Sequence, residues 1–143
     1  MRPISCTFID SVTAPVVQVF SLLSDPNRIA QWLPGCDALE GNVPLKKGAR
    51  LKARFGQRMA EFEIVDFAPP ATIGWVERGQ RNGSKLFLRL DASGATTAVT
   101  VREVWTPRSF VAWVRGRFFE RRRVQRRLRD ILQNLRSLVA REA

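Results

Sequence analysis

The stretch that decides the fold is "RGRFFERRRVQRRLRDILQNLRSL", residues 115–138. On a helical wheel at about 100° per residue, with Leu128 at zero, the large apolar residues of the last third of the chain cluster within about 80° of that line. These residues are Phe110, Trp113, Val114, Val124, Ile131, Leu132, Leu135, Leu138 and Val139. Most arginines lie away from them. The pattern predicts one long amphipathic helix, from the region of Phe110 to about residue 140, which packs by its apolar face.

The positive charge of the chain is concentrated in this segment. Eleven arginines and three acidic residues follow residue 107, so the segment carries +8 of the net charge of +11. The outer face of the helix is then solvated, or it contacts an anionic membrane surface. Nucleic acid is the less favoured partner, because most aromatic residues of the helix lie toward its packed side. Phe119 is the exception, because it lies on the opposite side of the wheel, where it could pack on a second copy of the chain. The sequence therefore allows either a monomer or a homodimer.

Length and composition indicate one globular domain, residues 1–143. The chain has 143 residues, of which 45% are hydrophobic, enough for a single core. Its two cysteines, Cys6 and Cys36, match no metal or redox spacing and read as free thiols. We find neither a signal peptide nor an apolar run long enough to span a membrane. We therefore expect a cytoplasmic protein.

The remaining sequence alternates with the period of a strand. "ISCTFIDSV", residues 4–12, predicts a first strand, and "AP" and "DP" at residues 14–15 and 25–26 begin two short helices. From residue 36 to residue 105, five alternating segments are separated mostly by turn signals. Consecutive strands with short turns predict an antiparallel meander with one face exposed to water.

The helix pair carries a family resemblance. The residues concerned are Ala14-Pro15, Val19-Phe20, Leu22-Leu23, Asp25-Pro26, Arg28 and Trp32-Leu33-Pro34-Gly35. They resemble the opening of the polyketide cyclase/dehydrase and lipid-transport superfamily, which is related to START domains and to birch-pollen-allergen-like proteins. The resemblance implies an α+β helix-grip fold: a curved antiparallel sheet of about seven strands, two short helices after the first strand, and a long C-terminal helix across the sheet. It also implies an apolar ligand between the sheet and that helix, while no catalytic motif transfers.

The residue types present limit the chemistry. The chain has no histidine and no tyrosine, which excludes histidine triads, imidazole bases and histidine metal sites. Carboxylates are the remaining acid–base groups. On "TTAVTVREVW", residues 96–105, Glu103 shares the apolar face with Val99, Val101 and Trp105. The same alternation places Glu77 on the inner face with Trp75.

Two arginines of the helix also face inward on the wheel. Arg117 and Arg121 lie about 20° on either side of the stripe centre, provided that the helix is unbroken. Burying both guanidinium groups without partners would cost several kcal/mol, so they need anions, water or an opening. We therefore predict that Glu77, Glu103, Arg117 and Arg121 face one space. Glu103 pairs there with one of the arginines and fills the gap, or the arginines anchor a ligand carboxylate or phenolate.

These observations lead to three functional hypotheses. The first is binding or transport of a small hydrophobic molecule, anionic ligands included, without a metal or cofactor; Trp75, Trp105 and Trp113 would line its cavity or belong to the core. The second is a metal-free cyclase- or dehydratase-type lyase for a polyketide-type or other hydrophobic substrate, with Glu103 as its catalytic candidate. The third is a basic-helix module for anionic lipid surfaces or nucleic acid. A non-enzymatic binding protein is favoured.

Overall fold

The fold is seen in a computed structural model that describes residues 2–41, 44–79, 83–107, 109–115 and 119–142. The strands are β1 Ile4–Val12, β2 Ala38–Gly41, β3 Arg50–Phe55, β4 Arg58–Ala68, β5 Thr72–Arg78, β6 Lys85–Ser93 and β7 Thr96–Trp105. The helices are α1 Val16–Ser24, α2 Pro26–Trp32, α3 Phe110–Arg115 and α4 Arg121–Glu142. Two short helices thus follow the first strand, and the longest helix comes last, as the sequence predicts.

The seven strands form one curved antiparallel sheet in the order β1-β7-β6-β5-β4-β3-β2. Strands β2 to β7 are a meander in which each strand pairs with the next along the chain. β1 pairs with the last strand, so that Cys6 of β1 stands opposite Glu103 of β7. The helix-grip fold class is therefore confirmed.

The helix pair α1–α2 is fixed by a capping residue and by one tryptophan. The side chain of Asp25 accepts a hydrogen bond from the backbone N–H of Asn27 at 2.9 Å, and Pro26 occupies the first turn of α2. Trp32, at the end of α2, is completely buried. Its Nε1 donates to the carbonyl of Leu22 at 3.0 Å, and its own carbonyl accepts from Asn134 of α4 at 3.1 Å. Trp32 therefore joins α1, α2 and α4.

Helix α4 lies along β1, β7 and α2 and covers the inner face of the sheet. Its apolar stripe is buried as the wheel predicts; the buried residues are Val124, Leu128, Ile131, Leu132, Leu135, Leu138 and Val139. The apolar residues of β7, α1 and α2 belong to the same core. The inner face of the sheet and the stripe of α4 therefore bury each other.

The single helix predicted from Phe110 onward is corrected by the structure. Two helices are present, and Phe110 and Val114 of α3 are exposed rather than packed. A helix of 22 residues is about 33 Å long, whereas the nine residues of β1 span only about 30 Å. Helix α4 therefore covers the full length of β1, and little of the sheet surface remains for α3. Phe119 and Glu120 also adopt π-helical geometry, which rotates the faces of a helix relative to the regular wheel.

Candidate functional site

A small cavity of about 110 Å³ lies between the sheet, the end of α2 and α4. Its lining residues are Leu33, Pro34, Phe55, Arg58, Phe62, Trp75, Glu77, Ser84, Leu86, Glu103 and Arg127. The lining is therefore apolar on one side, and it carries two carboxylates and two guanidinium groups on the other. We call this space the inner cavity.

The apolar side of the inner cavity is built from stacked aromatic rings. Trp75 of β5 lies 5.8 Å from the ring of the buried Trp32 and 5.6 Å from the ring of Phe62. Phe55 meets Phe62 edge-on at 6.3 Å. Such contacts stabilise the arrangement beyond simple burial, so the apolar wall of the cavity is a set of mutually packed rings.

The first of the two carboxylates is Glu103, on the inner face of β7. Its side chain is only 6% exposed, and it forms an ion pair with Arg127 of α4, whose side chain is 42% exposed. Burial raises the pKa of Glu103 above its usual value, while the charge of Arg127 lowers it and that of Glu77 raises it again. Burial outweighs the ion pair because the guanidinium is partly hydrated and its charge is screened. Glu103 thus holds a proton more readily than an ordinary glutamate.

The second carboxylate, Glu77 of β5, is held by the β3–β4 hairpin. Arg58 donates to Glu77 at 2.8 Å, and its guanidinium lies 5.0 Å from the ring centre of Phe55. The turn contains Gly56 at φ +65°, and the N–H of Gly56 donates to Asp37 at 2.7 Å. A glycine adopts this left-handed conformation without strain, so the tight turn brings Phe55 and Arg58 to the cavity together.

A second space, the outer cavity, continues from the first on the side of the ion pairs. It measures about 210 Å³ and is lined by Arg58, Glu77, Ser84, Glu103, Trp105, Glu120, Arg123, Val124 and Arg127. Five of these residues also line the inner cavity, so the two ion pairs stand between the spaces. Trp105 is 3% exposed, and its Nε1 is buried without a hydrogen-bond partner in the part of the chain that the structure describes. An unsatisfied buried donor costs about 1–3 kcal/mol.

The structure brings together some of the residues predicted from the sequence. Glu77, Glu103 and Trp75 line the inner cavity, and Trp105 lines the outer one. Trp113 lies on α3, where it stacks on Phe110 at 6.2 Å; it lines neither cavity.

The two predicted arginines have different outcomes. Arg117 lies outside the described residues. Arg121 is exposed overall and lines neither cavity, so the structure does not bring it to Glu77 and Glu103. Its side chain interacts instead with the thiol of the buried Cys6. The wheel had assumed an unbroken helix, whereas α4 begins at Arg121. Its backbone carbonyl accepts a long contact of 3.9 Å from the thiol of Cys6, and burial raises the pKa of that thiol.

Sequence reasoning missed the two arginines that hold the carboxylates. On the helical wheel Arg127 lies with most arginines away from the apolar stripe, although it directly precedes the stripe residue Leu128. A long arginine side chain can reach back over an apolar face, and that position next to the stripe was the available signal. Arg58 carried only the weaker signal of closely following a hairpin glycine.

A third space, an open groove of about 800 Å³, lies near the β4–β5 turn. Its lining residues are Val17, Phe20, Ser21, Ser24, Asp25, Pro26, Pro44, Leu45, Phe67, Pro69 and Pro70. Two of its polar groups already have local partners: Ser24 donates to the carbonyl of Phe20 at 2.8 Å, and Asp25 caps α2. The groove therefore offers apolar surface but few polar anchors.

Comparison with known families identifies the chain. A sequence profile described as "Polyketide cyclase / dehydrase and lipid transport" matches residues 7–140. The chain belongs to this family. Among curated proteins none matches the sequence significantly. Membership indicates hydrophobic ligand binding or an activity like that of polyketide cyclases.

Solved structures show the same fold. DynU16, a putative protein of the dynemicin biosynthetic locus, superposes with a TM-score of 0.74 at 22% identity over 95% of this chain and 47% of its own. StfQ, a di-domain ARO/CYC of the steffimycin pathway, superposes with a TM-score of 0.79 at 10% identity. The match covers 98% of this chain and 51% of StfQ. Protein NE0264 from Nitrosomonas europaea superposes with a TM-score of 0.77 at 12% identity, and the match covers 96% of this chain and 95% of NE0264. This polyketide cyclase family member thus spans about half the length of DynU16 and StfQ.

The described residues contain neither a membrane-spanning helix nor a cluster of metal-binding side chains. No described helix combines the length and the hydrophobicity needed to cross a membrane. No group of three or more His, Cys, Asp or Glu side chains is arranged there to hold a metal ion. The functional groups of the cavities are therefore arginines, carboxylates, Ser84 and aromatic rings.

We predict that the pKa of Glu103 lies above that of an ordinary glutamate, and that Arg127 lowers this pKa while Glu77 raises it. Replacing Arg127 by Met should raise the pKa of Glu103 further, and Glu77→Gln should lower it. Carboxyl ¹³C NMR across the acidic range measures both changes. The exposed arginine variant Arg122→Met is the control and should leave the midpoint unchanged.

The same shift predicts the sign of the pH dependence of stability. Because the folded pKa lies above the unfolded one, the folded state binds the proton more tightly between the two values. The free energy of unfolding of the wild type should therefore fall, relative to Glu103→Gln, as pH rises through that interval. A carboxyl midpoint at or below the usual value would contradict both expectations.

Proposed function

We propose that this protein binds a small hydrophobic molecule between the sheet and α4, in the inner cavity and the adjoining outer cavity. The observation that carries the proposal is the composition of this space: a wall of aromatic rings facing two buried carboxylates, each with its own arginine. A mostly apolar pocket with a few fixed polar groups is the usual make-up of a small-molecule site. Family membership supports the same class of ligand.

The alternative, that the ion pairs only fill the gap under α4, accounts for less of the geometry. A purely structural pair would be expected to leave no space around it, since protein interiors are close-packed. Here cavities flank the pairs on both sides. Arg58 and Arg127 also reach the pairs from two separate elements, the β3–β4 hairpin and α4, which could separate to admit a ligand. Each cavity alone is smaller than the roughly 300 Å³ of a typical ligand site, so the ligand would use both.

The test is to fill the inner cavity and measure binding. Leu86 stands opposite both Trp75 and Glu103 in the sheet, and Leu86→Trp should occupy most of the space. We expect the affinity for the neutral probe N-phenylnaphthylamine, followed by fluorescence, to fall at least about tenfold, because a ring stacked there would be excluded. Native mass spectrometry of protein from its own host should lose a co-purifying small molecule in the same variant.

Two controls locate the binding. Leu86→Met keeps the size of the side chain and should retain affinity. Val17→Glu places a charge in the open groove near the β4–β5 turn, and it should also leave affinity unchanged. Loss of binding in Val17→Glu with retention in Leu86→Trp would move the site to that groove and reject the proposal.

A cyclase-like lyase is the second candidate, and the raised pKa of Glu103 is the observation that favours it. The carboxyl group of Glu103 keeps its proton to a higher pH than an ordinary glutamate does, so it can donate that proton to a reacting oxygen and take one back from carbon. Arg127, next to it, could stabilise an enolate that forms meanwhile. The similarity of fold to StfQ, an ARO/CYC protein, is consistent with this chemistry.

The enzymatic candidate predicts a separation of binding from turnover. With a synthetic poly-β-ketone chain as substrate, Glu103→Gln should lower kcat about 100-fold or more, since general acid–base catalysis contributes roughly 10²–10⁴-fold, and should leave KM similar. Glu61→Gln, on the exposed side of β4, is the matched control. Equal turnover in wild type and Glu103→Gln would reject the hypothesis that Glu103 makes the protein a lyase, and it would leave the binding proposal intact.

We also propose that the α3–α4 region contacts anionic membranes. Four of the exposed large apolar side chains of the described residues lie within it: Phe110, Val111, Val114 and Phe119. A run of exposed arginines follows, at Arg121–Arg123 and Arg126. Apolar side chains next to cationic ones suit the boundary of a bilayer with anionic headgroups. The outer cavity opens beside this surface, since Glu120 and Arg123 belong to its lining.

Vesicle sedimentation tests this contact. Reversing Arg122, Arg126 and Arg129 to Glu together should abolish retention on vesicles of phosphatidylglycerol and phosphatidylcholine at low salt, because the attraction to headgroups becomes repulsion. Reversing Lys46, Lys47 and Lys52 changes the net charge equally at another surface and should have little effect. Equal losses in both triple variants, or retention on DNA but not on vesicles, would reject a membrane contact.

A further inference from the structure

We propose that the ligand of this site carries an uncharged carbonyl oxygen, which accepts a hydrogen bond from Nε1 of Trp105 in the outer cavity. This inference rests on the binding function proposed above and specifies the chemical class of the ligand: an apolar ketone, ester or quinone-type carbonyl compound rather than a carboxylic acid.

The unpaired indole N–H of Trp105 is the first observation. An indole nitrogen can only donate, and buried polar groups of native proteins nearly always have a partner. Trp32 follows the rule, since its Nε1 donates to the carbonyl of Leu22 at 3.0 Å. Trp105 is also well buried, but its Nε1 has no hydrogen-bond partner among the described residues. A donor that the chain leaves unpaired is available to an acceptor that the chain does not contain.

The position of Trp105 is the second observation. It is the last residue of β7, and it shares the inner face of that strand with Glu103, two residues earlier. Val124 and Arg127 of α4 stand across the outer cavity from it. The nitrogen has no surface accessible to solvent in this structure, so an acceptor can reach it only when β7 and α4 move apart to admit a molecule between them. Such a molecule could extend past the ion pairs toward the aromatic wall of the inner cavity.

The charge of the outer cavity decides which acceptor fits. Three arginines line it, Arg58, Arg123 and Arg127, and three glutamates balance them, Glu77, Glu103 and Glu120. Both Arg58 and Arg127 already hold a carboxylate. An incoming anion would lie close to two buried carboxyl groups and gain little net attraction. A neutral carbonyl oxygen accepts the indole hydrogen bond without adding charge.

Three probes of nearly equal shape test the inference. Acetylnaphthalene has the ketone, isopropenylnaphthalene replaces C=O by C=CH₂, and naphthoate replaces the methyl group by a charged oxygen, all at the same ring position. In wild type, titration calorimetry should show the ketone binding about tenfold more tightly than the alkene, the preference expected for one hydrogen bond to an otherwise unpaired buried donor. The carboxylate should bind more weakly than the ketone.

Nitrogen-15 NMR of the indole N–H groups reports the contact directly. The chain has four tryptophans, so Trp105 is identified as the signal missing from Trp105→Phe. Its proton resonance should move downfield when the ketone is added and much less when the alkene is added, because only the ketone supplies an acceptor. This readout needs no altered protein for the binding experiment itself.

Two variants remove the donor. Trp105→Phe should abolish the preference for ketone over alkene. Replacement of Trp105 by benzothienylalanine, which exchanges N–H for sulfur in an otherwise similar ring, should do the same without a change of packing. The second variant distinguishes a lost hydrogen bond from a disturbed fold, and thermal unfolding checks that both variants are folded.

Each other outcome identifies what fails. Equal affinity for ketone and alkene, or an indole signal unmoved by the ketone, overturns the hydrogen bond while apolar binding stands; an ordered water at Nε1 would give this result. Tighter binding of naphthoate, lost in Arg123→Ala, overturns the uncharged acceptor. Failure of all three probes to bind contradicts the cavity as a binding site and removes the proposed function together with this inference.

Discussion

The structure depends on how the carboxylate of Glu103 is accommodated beneath α4. A carboxylate on the inner face of β7 cannot stay charged there without a partner, because removing it from water costs several kcal/mol. Its partner is Arg127, which comes from the helix that covers the sheet. The ion pair therefore ties the position of α4 to the polar part of the sheet. Glu77 and Arg58 repeat the arrangement from the other side, and the inner cavity lies between these groups and the aromatic rings.

Burial raises the pKa of Glu103 and the ion pair with Arg127 lowers it, and the effect of burial is the larger. Its carboxyl group lies inside while the guanidinium of Arg127 is nearly half exposed, so solvent weakens the attraction more than it relieves the burial. The result is a pKa above the usual value, in a wall shared by two cavities. The same feature suits a ligand site, where polar groups must exchange partners, and an acid–base catalyst, where a proton must move. Binding is the simpler of these two uses, because it requires only the observed contacts.

Packing against the sheet is concentrated in α4, whereas most of the large apolar side chains of α3 are exposed. Trp113 of α3 still packs against the core, while Phe110 and Phe119 are exposed. Phe119 directly precedes Glu120, which lines the outer cavity, and the exposed Arg121–Arg123, so the start of α4 gives that cavity an apolar and cationic border. A protein that takes up a hydrophobic molecule would use such a border to meet the membrane in which that molecule dissolves.

The sequence by itself determined the strand and helix order, the family, the buried stripe of α4 and the inward direction of Glu77 and Glu103. These features follow from alternation and helical periodicity, which are local properties of the chain. Only the tertiary structure decided which arginines meet the carboxylates. Arg127 reaches Glu103, whereas the side chain of Arg121 meets the thiol of Cys6 and lines neither cavity. A helical wheel fixes the direction of Cβ but not the reach of a long side chain. The unpaired nitrogen of Trp105 was equally beyond the sequence, since the absence of a partner depends on every element packed around it.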